Sequence, residues 1–188
     1  MANIMTDIIS PIDDVKEAQV VAETQRYIDK ASQLFQRNFP QIPVLFDLKG
    51  RSAGMYRIRR SAGRRQRHIR YNPWLFAKYP DDSFCNTIPH EVAHYITDLL
   101  YDMNTIQPHG KEWKMIMERF GAEPVVRVNY DLSGTPQRKV RYYFYQCQCR
   151  DVKLTAHRHN KILRGQQRYF CRDCHRELRI RNDRSSTE

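Results

Sequence analysis

Apolar residues recur at helical spacing early in the chain. Ala18, Val21, Ala22, Ile28, Ala31, Leu34 and Phe35 keep one approximate face, which predicts a helix over about residues 14–38 that stops before Pro40. Asp14, with Glu17 three residues on, reads as its capping-box start. The period then shortens. Residues 44–48 form a short apolar run that reads as a strand, and 53–59 and 67–71 read as two arms of a hairpin joined through Ser61-Ala62-Gly63. Asn72-Pro73 closes the hairpin, and Trp74-Leu75-Phe76 opens a short helical turn. Ile88, Val92, Ile96, Leu99 and Met103 make a second helical stripe, which Asp81, Asp82 or Ser83 can cap. Pro89 lies inside that helix, where its ring meets the carbonyl of Cys85, so a bend is expected just before residue 90; Cys85 itself reads as a small buried residue. After a turn over 104–108, Trp113, Ile116, Met117 and Phe120 mark a third helix ending at Gly121, and 125–130 reads as another short strand. Helices and short strands in mixed order predict an α+β fold.

The second stripe leaves the sequence Pro89-His90-Glu91-Val92-Ala93-His94-Tyr95 with a polar face of its own. On a helix His90 and His94 stand at i and i+4, about 5 to 6 Å apart at Cβ, so both rings can reach one metal ion. Glu91 points to the flank of that face, where a carboxylate can hold water beside the metal without ligating it. This is the His-Glu-x-x-His arrangement of zinc proteases. Zinc suits neutral imidazole, and a catalytic site needs three protein ligands plus an open position, where water becomes acidic enough for Glu91 to take its proton. The motif therefore predicts hydrolysis. For the third ligand, His109 at the start of the third helix is the leading candidate, with Asp98, Asp102, Glu112 and Glu118 as rivals. Asp98, one turn beyond His94, could instead orient that histidine.

Charge changes the picture further, because the net +11 of the 188 residues is unevenly placed. Residues 51–80 carry nine Lys and Arg and no acid, whereas 81–110 carry five acids and no Lys or Arg. Residues 111–188 carry eighteen basic against nine acidic side chains. Two basic regions thus flank an acidic segment, a placement that suits a polyanion bound beside the metal site and not in it. In the hairpin, Arg57, Arg59, Arg60, Arg64, Arg65 and Arg67 can neutralise phosphates, with Tyr56, Tyr71 and Trp74 near enough to stack on bases.

Five cysteines do not make a disulfide framework. Four of them, Cys147, Cys149, Cys171 and Cys174, form two close pairs 21 residues apart, the pattern of a zinc ribbon in which thiolates close a tetrahedron. His157, His159 or His175 could replace one sulfur. No apolar run reaches the length of a membrane span, and the N-terminal residues lack a basic region followed by an apolar core, so a cytoplasmic location with no membrane partner is expected. The expected organisation is a flexible N-terminus over 1–13, a catalytic domain over 14–132, a linker over 133–140, a zinc-ribbon-like β module over 141–182 and a flexible tail over 183–188.

Together, Pro89-His90-Glu91-x-x-His94, Pro108-His109-Gly110-Lys111-Glu112-Trp113, Ser52-Ala53-Gly54 with Asn72-Pro73, and the C-terminal cysteine pairs resemble the SprT-like family, the bacterial relatives of the Spartan DNA-protein crosslink protease. The resemblance covers about residues 15–180. It implies a zincin-type metalloprotease domain, helices packed on a small mixed sheet, followed by a zinc-binding module. It further implies His90, His94 and His109 as ligands of a catalytic zinc, Glu91 as general base, a second and structural zinc, and DNA with DNA-bound proteins as partners. The C-x-C spacing of the first cysteine pair departs from the usual ribbon. Two readings of another class remain beside it: a non-enzymatic nucleic-acid-binding factor whose two zinc sites are structural, and a general peptidase whose basic charge serves only solubility.

Overall fold

Asp13, one residue before the expected cap, starts the first helix by accepting the Lys16 N–H at 2.8 Å. This helix, α1 (Asp14–Phe35), ends three residues early because Gln36 takes a left-handed conformation at φ 48° and turns the chain. The structure is a computed structural model that describes residues 8–61, 63–102, 105–137 and 140–181. Its chain divides into two compact units, Met1–Gln137 and Arg138–Glu188.

In the first unit, β1 (Val44–Leu45) is shorter than the apolar run around it and pairs parallel to β3 (Arg64–Tyr71). The hairpin partner β2 (Gly54–Ser61) runs antiparallel to β3 in a register from Gly54 opposite Tyr71 to Ser61 opposite Arg64. The order β1-β3-β2 leaves β2 as an edge strand. Both arms reach further toward the tip than the apolar pattern alone indicates. Ala62, part of the expected turn, lies outside the described residues.

Asn72 then ends the sheet and begins α2 (Pro73–Lys78), its Oδ1 accepting the N–H groups of Trp74 and Leu75. A short turn α3 (Pro80–Asp82) leads into a π-helical turn over Ser83–Thr87 and then α4 (Ile88–Leu100). The π turn is how the helix accommodates Pro89: the Ile88 N–H reaches back to Ser83, and the wider turn absorbs the residue that cannot donate. It also corrects the expectation for Cys85, which is exposed, because the turn buries Ser83 and Thr87 instead. Met103, counted in the apolar stripe of α4, lies outside the described residues.

Helix α4 is the centre of the unit. It is covered by α1, by α5 (Lys111–Phe120) and by the sheet, and Ile88, Val92, Ala93 and Ile96 are fully buried. Around it the core gathers Ile28 and Ala31 of α1, Ile69 and Tyr71 of β3, and Trp113, Ile116 and Phe120 of α5.

Two expected boundaries move. Of the segment expected to be a flexible N-terminus, residues 8–13 are tied down, Ile9 N–H to the Gly134 carbonyl at 2.9 Å and Ile12 N–H to Pro73 at 3.1 Å. Residues 133–137, expected as linker, sit on the first unit. There Lys78 Nζ donates to Asp131 and Ser133, each within 3.1 Å. Residues 1–7, 138–139 and 182–188 lie outside the described residues.

The second unit is a three-stranded sheet of order β5-β4-β6, formed by β4 (Tyr142–Gln146), β5 (Asp151–Thr155) and β6 (Arg179–Ile180). A helix α6 (Ala156–Leu163) follows β5 where only a basic stretch was legible. Its buried core is small: Tyr145, Leu154, Cys171 and Leu178.

Candidate metal centre

His90 and His94 leave α4 one turn apart, and the loop before α5 brings His109 against them. The three Nε2 atoms form a triangle with sides of 3.2, 3.1 and 3.2 Å. Beneath it lies Trp113, whose ring centroid is 4.7 Å from that of His90, 5.6 Å from His94 and 4.8 Å from His109. The Trp113 indole N–H donates to the His90 carbonyl at 3.3 Å, so α5 is locked to α4 under the histidines.

Burial holds the His90 imidazole down to about 4 and His94 to about 3, with the neighbouring rings adding to the effect. A main-chain hydrogen bond at Val125 works the other way on His90. His109 is lowered by burial and then by the charge of Arg127. The His90 and His94 rings are therefore neutral at pH 7, and His109 is shifted in the same direction. Each neutral ring carries one N–H at most, so three Nε2 atoms in mutual contact cannot all be satisfied by one another. A cation can satisfy them. Tetrahedral ligands at about 2.0 to 2.1 Å from zinc stand about 3.3 Å apart, close to the observed triangle.

Glu91 does not join the triangle. It is buried, and its Oε2 accepts the Tyr56 N–H from β2 at 2.6 Å. Burial pushes this carboxyl up to about 8, against the opposing pull of the Tyr56 N–H, and a cation at the adjacent histidines acts in the same direction as that N–H. The carboxylate has room only because residue 54 is glycine. A Cβ there would lie 2.6 Å from Glu91 Cγ and 2.7 Å from its Oε1. Asn72 holds the approach to this glycine, its Nδ2 donating to the Gly50 and Ser52 carbonyls at 3.0 and 3.2 Å.

Asp98 does something other than the orienting role considered for it. Its Oδ2 accepts Tyr56 O–H at 2.8 Å and Arg67 Nε at 2.5 Å, with the carboxylate side chain 1% exposed. Arg67 thus differs from the other hairpin arginines, being committed to a buried carboxylate on α4, the helix of His90 and His94. Arg57, Arg59, Arg60, Arg64 and Arg65 are exposed, and among the described residues no carboxylate pairs with them. Arg60 stands directly opposite Arg65 across the hairpin.

A cavity of about 540 Å³ opens over His90 and Glu91, and it is lined by residues 51–54, by Asn86 and Thr87, and by residues 123 and 125–130.

In the second unit the four sulfurs of Cys147, Cys149, Cys171 and Cys174 come together, all within 4.8 Å of one another. Cys149 Sγ is 3.2 Å from Cys147 Sγ and 3.6 Å from Cys171 Sγ, near the separation of about 3.8 Å for thiolates around zinc at about 2.3 Å. Main-chain N–H groups of Cys174 and Asp173 hold the Cys171 thiol down to about 6. The rival histidines stay outside this cluster. His159 is buried with its Nδ1 2.9 Å from Tyr145 Oη and its ring stacked on Tyr143, and His175 follows the last cysteine in a left-handed turn.

Sequence reasoning named the three histidines, Glu91 and the four cysteines, and the structure brings each set together. It missed Trp113 and Gly54 as parts of the site. Trp113 carried a signal, four residues after His109 in one motif, but was absorbed into the apolar face of its helix.

Three histidines from a His-Glu-x-x-His helix and the loop beyond it define a protein with a candidate transition-metal centre, beside a candidate four-cysteine site. The chain belongs to the SprT-like family, which residues 24–134 match. It is 32% identical to Protein SprT of Shewanella oneidensis over 165 residues, 87% of this chain and 99% of that one. It is 36% identical to Protein SprT of Vibrio parahaemolyticus over 152 residues, covering 80% and 86%. With Protein SprT of Pseudomonas savastanoi pv. phaseolicola it shares 33% over 162 residues, covering 85% and 93%. No solved structure matches the chain. Among the described residues no helix is long and apolar enough to cross a membrane.

Proposed function

We propose that this chain is a zinc-dependent endopeptidase of zincin type that acts in the cytoplasm on proteins bound or crosslinked to DNA. The observation that carries the reading is the convergence of the His90, His94 and His109 Nε2 atoms beside a buried Glu91 at the base of an open cleft. His90, His94 and His109 would hold the catalytic zinc, and the four cysteines a structural one. Bound there, zinc supplies a Lewis acid for the scissile carbonyl and for water.

The remaining chemistry belongs to the chain. Glu91 takes a proton from water and returns it to the leaving amine, with the Tyr56 N–H fixing one carboxylate oxygen and leaving the other for the transfer. Trp113 keeps the histidine rings from turning. The edge strand β2, apart from the Tyr56 N–H that Glu91 holds, offers the main chain of its open side to an extended substrate.

The DNA-binding part of the reading is supported by the hairpin tip. Like charges directly opposite in a sheet are destabilising, and the Arg60–Arg65 pair with Arg57, Arg59 and Arg64 around it is relieved by phosphate. The second unit, with its own excess of Lys and Arg over Asp and Glu, is a separate basic surface.

The test is cleavage of a protein crosslinked to single-stranded DNA, with the natural sequence, with Glu91→Gln and with a zinc chelator. Loss of cleavage in both controls is expected, by about 10²-fold or more for Glu91→Gln, with its zinc content unchanged. DNA binding without cleavage in any sample would replace this reading by a non-enzymatic nucleic-acid-binding factor.

A further inference from the structure

The segment Pro124-Val125-Val126-Arg127-Val128-Asn129-Tyr130 has the composition of a strand, β-branched residues in a short run after a proline. Yet it belongs to neither sheet. Among the described residues its only main-chain hydrogen bond to main chain joins Val125 N–H to the Glu123 carbonyl at 2.8 Å. Val125, Val126 and Val128 are 39 to 44% exposed. A strand-forming sequence with no strand beside it presents donors and acceptors ready to pair with another chain.

Its ends are nevertheless fixed. The Ala122 N–H bonds to the Met117 carbonyl at 3.0 Å where α5 stops. At the far end Tyr130 Oη donates to Asp82 and lies 3.3 Å from Thr87 Oγ1, and Asp131 N–H donates to Tyr79 Oη at 3.1 Å. Between these anchors residues 125–129 line the cavity that contains His90 and Glu91. The same cavity is lined by residues 51–54, which lead into the edge strand β2.

We propose that residues 125–129 are the second wall of a peptide-binding slot, pairing main chain to main chain with an extended polypeptide whose other side faces β2. An extended chain carries donors and acceptors on both sides, which suits a cleft lined by the largely unpaired main chain of 126–129 and by residues leading into the edge strand β2. The charges lining the slot also favour a peptide over nucleic acid. Arg51 and Arg127 line it together with Glu123 and the buried Glu91, so the slot lacks the dense run of cations found at the hairpin tip. Recognition through main chain makes the slot tolerant of substrate sequence and selective for unfolded segments. The inference rests on the protease reading for what happens to the bound peptide, but not for its binding.

The test uses the zinc-loaded Glu91→Gln chain and, as an unfolded probe, reduced and carboxymethylated α-lactalbumin. Hydrogen exchange should slow at residues 126–129 when the probe binds. Val128→Pro, which removes one N–H, should weaken probe binding about tenfold and leave zinc content and single-stranded DNA binding unchanged. Val128→Thr, which keeps both the N–H and the β-branch, should bind as the parent does. Binding without slowed exchange at 126–129, equal binding by Val128→Pro, or no probe binding would each overturn the slot. Slowed exchange in a protein whose natural sequence cleaves nothing would keep the slot and remove the protease; cleavage without slowed exchange would do the reverse.

Discussion

The two candidate metal sites are built in opposite ways. The histidine triangle stands on α4, whose Ile88, Val92, Ala93 and Ile96 are fully buried, and is braced by Trp113 from α5. Here protein packing alone brings the three donors together. The cysteine cluster lies in a unit whose buried core is four residues, and one of them, Cys171, is itself a ligand candidate. There a bound metal would supply what the core lacks. A site used for chemistry needs donors that stay in place with a coordination position free, whereas a structural site can exist only when closed.

The largest effect expected from breaking this contrast is loss of the second unit alone. Chelation, or Cys171→Ser, should unfold residues 138–188 while the first unit keeps its helices, because structural zinc contributes about 10 kcal/mol or more in domains this small. Limited proteolysis and circular dichroism read both halves of that outcome. Equal loss of the two units would mean that the histidine site also depends on metal for its fold.

Next in size is the brace between the hairpin and α4. Arg67→Met leaves Asp98 buried without its cation, which should cost about 3 kcal/mol, the low end for a broken buried pair because Arg67 is a quarter exposed. Arg59→Met, at the exposed tip, should leave the denaturation midpoint where it was and weaken DNA binding instead. A similar stability loss in both would erase the distinction between the structural arginine and the surface ones.

The subtlest effect is at Gly54. An added methyl group would press on Glu91 from less than 3 Å, so Gly54→Ala should displace the carboxylate and lower the cleavage rate by about 10²-fold. Zinc content and unfolding should change little. Undiminished cleavage by Gly54→Ala would show that Glu91 works from a different position.

What the sequence could disclose followed from spacing. The i, i+4 pair His90 and His94 is a local fact of helical geometry, and two close cysteine pairs are local facts of turns. The helices α1, α4 and α5 were equally legible, since apolar period is set along one element. Its failures were at places where a second element decides. Asp98 was weighed against its own helix, but Tyr56 and Arg67 of the hairpin claim it. Trp113 read as core because its neighbours on α5 are core, and Cys85 read as buried because a π turn cannot be seen in a pattern of regular helix.

By itself, then, the sequence determined which donors this protein carries and on which helix two of them stand. Tertiary structure alone decided that His109 closes the triangle and that Gly54 makes room for Glu91 under the Tyr56 N–H. It also decided that residues 125–130, whose composition reads as a strand, join neither sheet. Each of these is a contact between residues distant in the chain, set by how α4, α5 and the hairpin pack, and the period of a single element contains no record of its neighbours.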